Sequence, residues 1–499
     1  MQNTILRTTA SITALMMAVT SATAQDLGAV DLATLGEVSF ATSCSADGQA
    51  AFEVGLLLLH HMMYQQSNTA FRAAAAADPD CAMAQWGIAM AQFHPLWPGG
   101  PTPPETEAGR AASNRLADMT AGSDREAAYI AAVQAFYAGE DTDYRARLAA
   151  WATAQRQIDE AYPDDHDAAA FDALAQLTLA PRGPAGLTDL REAGARMDAL
   201  RQIAPLHPAG FHYAIHAYDH PALAQNALEI ARGYKTIAPD VPHALHMPSH
   251  IFTRLGLWEE SADWNARSAA AVLSQTKGPI INGHYPHAID YAVYAHLQSG
   301  NVAAAEALLE ELGLHPNLQD NFGSAYATAA AAARVPLETD DWAGAAALPT
   351  DLNEAISWGR YPHTLSMRWF ARGIGAARSG DQEGADIALQ EMAELGAMIR
   401  PPYWMTLHEA QTKSIEAWLA LSHGDNATAI TLMRQAADLE DGVGKAPVTP
   451  GHVLPARELL GDLLLATGDK AGAKTAYETM LAISPNRRRS LAGLAAVTH

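Results

Sequence analysis

The chain has 499 residues, 49% of them hydrophobic but only 7% aromatic, and a formal net charge of −23. That length leaves ample room for a buried core, and abundant alanine with few aromatics favours helix packed on helix over a β-sandwich. So large an acidic excess, with no Lys/Arg runs, is unsuited to a phosphate backbone and excludes nucleic acid as a partner class.

In chain order, the first segment has the layout of a secretory signal. Arg7 supplies the positive start, Ile12–Thr20 the short apolar run, and Ala22-Thr23-Ala24 the small-residue cleavage site before Gln25. Residues 1–24 are therefore expected to be removed, which implies a secreted or periplasmic protein. No later stretch reaches about 18 uninterrupted apolar residues, so no membrane span is expected. Cys44 and Cys81 are the only cysteines, and an exported context permits them to pair.

Internal periodicity organises the remainder. Gly55, Leu58, Ser67, Phe71, Ala74 and Pro79 near the N-terminus share their spacing with Gly461, Leu464, Ala473, Tyr477 and Pro485 near the C-terminus, within a 34-residue period. Gly373, Ala385 and Leu389 fit a third copy, and Ala417, Ala429 and Ala436 a fourth. Small residues at two positions let paired helices approach, while large apolar ones fill the gap to the next pair. This pattern resembles the tetratricopeptide repeat, which implies an all-α, superhelical solenoid of antiparallel helix pairs. The resemblance thins at 95–190 and 315–360, where Pro- and Gly-rich stretches intervene. Expected segments are the signal (1–24), N-terminal repeats with variant helices (25–206), central repeats (207–312) and C-terminal repeats (313–499). In this register Cys44 precedes the first helix of its unit and Cys81 follows the second, so the resemblance implies a disulfide between them.

The central segment is rich in histidine. Of 20 histidines, ten lie in residues 207–296: His207, His212, His216, His220, His243, His246, His250, His284, His287 and His296. Several are spaced three or four apart, on one helical face, where two rings can converge on one ion. The resemblance implies that helix positions 2, 5, 9, 12 and 13 line a concave groove. Those positions are His212, His216, Asp219 and His220 in a unit starting at Pro208. They are His243, His246, His250, Thr253 and Arg254 in a unit starting at Pro242, and His287, Asp290 and Tyr294 in a third near Pro286. The expected metal ligands are His212, His216, His246, His250, His287 and Asp290. Asp219, His220, His243, Arg254 and Tyr294 are expected around a bound ligand, with Asp219 or Asp290 ligating or orienting a ring. All-nitrogen ligation suits zinc or copper(II). Pro248 should kink or delay its helix. His207 and His284 are expected in turns, Tyr291 and Tyr294 as wall residues, and Ser249 as a packing residue. His60, His61 and His94 lie in the first units, away from this cluster.

Three functions remain open at this level. The first is an exported repeat protein whose groove holds a transition metal or small polar ligand. The second is a scaffold that binds a peptide there. The third is a zinc- or copper-dependent enzyme, for which the sequence offers no His-Glu-x-x-His base.

Overall fold

The computed structural model describes residues 32–96, 100–139, 143–181 and 183–498; the expected signal lies outside them. Among these residues the secondary structure is helical, apart from one isolated bridge between Ile281 and Leu318. No helix among them is long and apolar enough to cross a membrane.

A single turn device builds the repeat. The pairs Pro362–Ser379/Gln382–Gly396, Pro402–Ser422/Asn426–Val443 and Ala456–Ala466/Lys470–Ile483 are each joined by a Gly-Asp step. Gly380, Gly424 and Gly468 sit at φ +83°, +80° and +89°, a conformation that ends the first helix and favours glycine. The aspartate that follows caps the second helix: Asp381, Asp425 and Asp469 accept from the backbone N–H groups of Gly384, Thr428 and Gly472. Gly300 and Asn301 do the same between His284–Gln298 and Val302–Gly313. So short a connection forces the two helices antiparallel, and the members of each pair pack together.

The small residues seen in the sequence stand where the paired helices touch. A Cβ on Gly461 would lie 2.5 Å from the Tyr477 ring, and one on Gly55 would lie 2.7 Å from the Phe71 ring. The same small-against-aromatic contact thus recurs at both ends of the chain.

The chain divides into two compact units. The first holds the described residues up to Leu179, with Glu192–Ala214 and Thr236–Val241; the second holds Ala180–Arg191, Ile215–Lys235 and the chain from Pro242 onward. Most of the expected central segment and all of 313–499 therefore fall in the second unit.

Phe40, Phe52, Phe71, Trp86, Tyr129 and Phe171 form an aromatic core in the first unit, with ring centroids 5.0–6.5 Å apart in most contacts. Cys44 and Cys81 are disulfide-bonded there, with Cα atoms 4.8 Å apart. The bridge ties the chain before helix Ala46–His60 to the start of helix Ala82–Met90, and the loop closure contributes on the order of 3–4 kcal/mol.

In the second unit, helix His284–Gln298 buries Tyr285, Ile289, Val293 and Leu297 against its neighbours. The C-terminal pairs share a larger core that includes Trp418, Met433, Leu459, Leu463 and Tyr477. Pro248 interrupts its helix as expected: Pro242–His246 stops, and Pro248–Leu255 begins with proline in its first turn.

Gly461→Ala tests the close approach. Alanine is the better helix former, but the collision with Tyr477 outweighs that gain, and we expect a loss of about 1–3 kcal/mol in urea unfolding. Gly313→Ala, where a Cβ would meet nothing within 4 Å, should instead be neutral or stabilising by up to about 1 kcal/mol.

Candidate metal centre

His246 ends helix Pro242–His246, His250 lies in the first turn of Pro248–Leu255, and His287 lies in the first turn of His284–Gln298. Met247 between the first two keeps helical angles (φ −52°, ψ −41°), so His246 and His250 stand one turn apart. Each of the three offers one ring nitrogen, and those atoms lie within 4.8 Å of one another. All three rings are buried, at 1%, 2% and 4% exposure. The resemblance implied an open groove at these positions, and this burial corrects it.

Hydrogen bonds fix which nitrogen each ring presents. His246 Nδ1–H donates to Asn265 Oδ1 (2.7 Å), whose orientation is set because Asn265 Nδ2 donates to the Ser261 carbonyl (2.7 Å). His250 Nδ1–H donates to the Asp219 carboxylate (2.9 Å). Both Nδ1 atoms being donors, the Nε2 atoms of the neutral rings carry lone pairs. Those two Nε2 atoms face each other at 3.0 Å. Two acceptors at that separation repel unless a cation lies between them.

A proton in that position is disfavoured. Burial holds His246 well below the usual imidazole range, reinforced by the neighbouring His287 and His250. Burial also lowers His250, more than the Asp219 hydrogen bond raises it, and the charges of Lys445 and Arg254 add to the lowering. His287 is held well below the range by burial too. Three neutral imidazoles are the donor set a borderline transition metal requires. Zinc–nitrogen bonds of about 2.0–2.1 Å put tetrahedral ligand nitrogens about 3.3 Å apart, so a separation of 3.0 Å needs only a small opening.

Asp219 orients His250 instead of joining the three. Its carboxylate also takes Arg254 Nε (2.7 Å) and Lys445 Nζ (2.8 Å), and Arg254 Nη2 donates to the Asp219 carbonyl (3.0 Å). Burial would raise its pKa, but Lys445 and Arg254 outweigh that and hold it well below the carboxylate range. Tyr291 is a wall, as expected, with its ring 4.7, 5.2 and 5.3 Å from those of His246, His250 and His287.

Other expected members have contacts of their own. Asp290 is bound by both Arg334 Nε (2.7 Å) and Nη2 (3.3 Å), so its carboxylate is matched by a guanidinium and stands outside the group of three. Tyr294 accepts from Arg487 Nη1 (3.1 Å) and packs on Trp258. His220 accepts from the Ala222 N–H (3.1 Å) at a helix end. His243 stacks at 4.6 Å on His284, which lies buried at the start of its helix, not in a turn. His216 stands beside His250, with ring centroids 5.6 Å apart. His212 belongs to the first unit, where its Nδ1 bonds the His60 carbonyl (2.7 Å).

His60, Asp167 and His207, also in the first unit, are equally close but of opposite chemistry. His207 Nδ1 accepts from the Ala209 N–H (3.3 Å), so its Nε2–H donates to Asp167 (3.3 Å). His60 donates Nε2–H to the same oxygen (2.8 Å) and accepts through Nδ1 from the Tyr213 hydroxyl (3.0 Å). Every ring nitrogen there has a complementary partner. Burial would raise Asp167, and the bonds from His207 and His60 outweigh it and lower its pKa.

The segment 444–455, between helices Asn426–Val443 and Ala456–Ala466, is a strap that reaches Asp219 and Tyr291, two neighbours of the imidazoles. Lys445 reaches Asp219, and the Tyr291 hydroxyl is shared between the carbonyls of Pro447 (2.9 Å) and Thr449 (3.0 Å). Arg334 donates to the carbonyls of Gly451 (3.0 Å) and His452 (3.1 Å). Its far end is held by Glu440, which accepts from the Ala456 N–H (2.7 Å). Burial pushes Glu440 up to about 8. Asn265 and Lys445 were not expected from the sequence. Asn265 carries no local signal, and Lys445 lies far along the chain.

No family model and no curated protein matches the chain. Among solved structures it is similar to the APC/C hetero-tetramer Cut9–Hcn1, at 12% identity and a TM-score of 0.41, covering 93% of this chain and 78% of that one. It is similar also to the human IFIT1 dimer with m7Gppp-AAAA, at 11% identity and a TM-score of 0.40, covering 84% and 89%. Likenesses this distant say nothing of the site or its ligand.

Glu440 yields a signed pH test. Its folded pKa lies above the unfolded value, so the folded state holds the extra proton and stability falls as pH rises from about 4.5 towards 8. Glu440→Gln keeps an acceptor for Ala456 and removes that loss. Its stability relative to the parent, from urea unfolding at pH 4, 6 and 8, should rise steadily across the series and be near zero at pH 4.

Proposed function

We propose that this is an exported, helical-repeat protein that binds a transition metal, zinc or copper(II), through His246, His250 and His287. The observation that carries the reading is the 3.0 Å approach of two Nε2 lone pairs whose partner nitrogens are both committed as donors. Asn265 and Asp219 then orient the ligands by hydrogen-bonding the nitrogen that faces away from the metal. The contrast with His60, Asp167 and His207 supports it, since each ring nitrogen in that equally crowded group has a hydrogen-bond partner. Three protein ligands leave a fourth position for water or a ligand. Export is supported by the signal-like first 24 residues and by the disulfide.

Elemental analysis of untagged protein, purified without chelator, tests the reading. About one equivalent of metal per chain is expected. His246→Ala/His250→Ala should carry none while keeping its helical circular dichroism. Asn265→Leu should retain the metal with affinity lowered about 10–100-fold in chelator competition. Metal retained in full by the double variant would overturn the assignment.

A further inference from the structure

Two residues that touch the imidazoles also hold the strap. Asp219 Oδ2 accepts from His250 Nδ1–H at 2.9 Å, and the same oxygen accepts from Lys445 Nζ at 2.8 Å. The first bond orients a candidate ligand, and the second ties down the start of segment 444–455. Tyr291 makes another link of this kind. Its ring packs on all three imidazoles, while its hydroxyl is shared between the carbonyls of Pro447 and Thr449. The Asp219 and Lys445 side chains are 4% and 5% exposed, and Tyr291 is fully buried.

Other anchors of the strap are independent of the three rings. Tyr403 accepts from the Ala446 N–H (2.9 Å) and donates to the Gly444 carbonyl (3.0 Å), and Arg334 and Glu440 hold the far end. The Lys445 and Tyr291 contacts differ, because the groups they join are also fixed from the imidazole side. A metal would hold the three rings at bonding distance. It would thereby restrain the Tyr291 ring packed on them and the Asp219 carboxylate bonded to one of them. A partner that is already restrained makes a stronger anchor. The effect is mutual: the free energy the ion adds to strap closure is the free energy the closed strap adds to metal binding.

We infer that segment 444–455 and the metal centre are thermodynamically coupled, with Tyr291 and Lys445 as the positioning residues that join them. The inference rests on the metal reading and extends it to a remote segment of the chain.

The test is amide hydrogen exchange of the full chain, with and without bound zinc(II), in the parent and in Tyr291→Phe. That substitution keeps the ring against the imidazoles, changes no charge and removes only the hydroxyl that meets the strap. In the parent, zinc should slow exchange across 444–455 by about fivefold or more. Tyr291→Phe should still fill at saturating zinc but lose most of that slowing. Its zinc affinity in chelator competition should fall by the same factor. Lys445→Met should lose slowing too, with Lys445→Arg restoring it; these two are read by exchange alone, since removing a charge shifts affinity by itself. Zinc bound with exchange of 444–455 unchanged in the parent would overturn this inference alone. So would equal slowing in Tyr291→Phe, which is what a general stabilisation of the fold produces. No zinc bound at all would overturn the metal reading and this inference with it. If Tyr291→Phe does not fold, Lys445→Met, which cuts the other link, supplies the same comparison.

Discussion

Two imidazole nitrogens that each present a lone pair to the other form the contact on which the site depends. Proximity alone does not make a metal centre; the direction of the protons does. Asn265 and Asp219 take the Nδ1 protons of His246 and His250 and leave the Nε2 atoms as opposed acceptors. In the first unit, one backbone N–H reverses that assignment. Ala209 donates to His207 Nδ1, which makes the far nitrogen a donor and gives every ring nitrogen around Asp167 a hydrogen-bond partner. The tautomer distinguishes two groups that composition and distance would treat alike.

The repeat architecture serves this contact by bringing helix starts and ends together. Gly-Asp and Gly-Asn turns set the pairs antiparallel, and Pro248 starts a new helix just after His246 ends the last, with Met247 between them at helical angles. Proline there lacks a backbone N–H, and His246 and His250 keep the one-turn spacing at which two rings meet. Burial of the three rings lowers their pKa and strengthens every charge around them. Desolvation and ligand readiness are thus two consequences of the same burial.

Charge is distributed with the same economy. Asp290, Glu338 and Glu458 are occupied by Arg334 and Arg487 and brace the second unit. Asp219 alone among these carboxylates touches a candidate ligand, and its carboxylate is shared with two cations. That difference separates an ion pair that braces helices from one that shapes a binding place.

Much of the fold and part of the site were legible in the residues themselves. The small-residue spacing at Gly55 and Gly461, the helix starts at Pro208 and Pro242, the interruption at Pro248 and the histidine excess around 207–296 are local patterns. Local sterics and backbone chemistry act through neighbours in sequence. Register also placed His246 and His250 on one face of the unit starting at Pro242 and His287 in the next unit. The chain alone could not decide which nitrogen each ring would present, that Asp290 would be claimed by Arg334, or that His212 would belong to the first unit. Nor could it bring Lys445 to Asp219. Those outcomes depend on partners tens to hundreds of residues away, and hydrogen-bond direction and buried charge are set only when such partners meet.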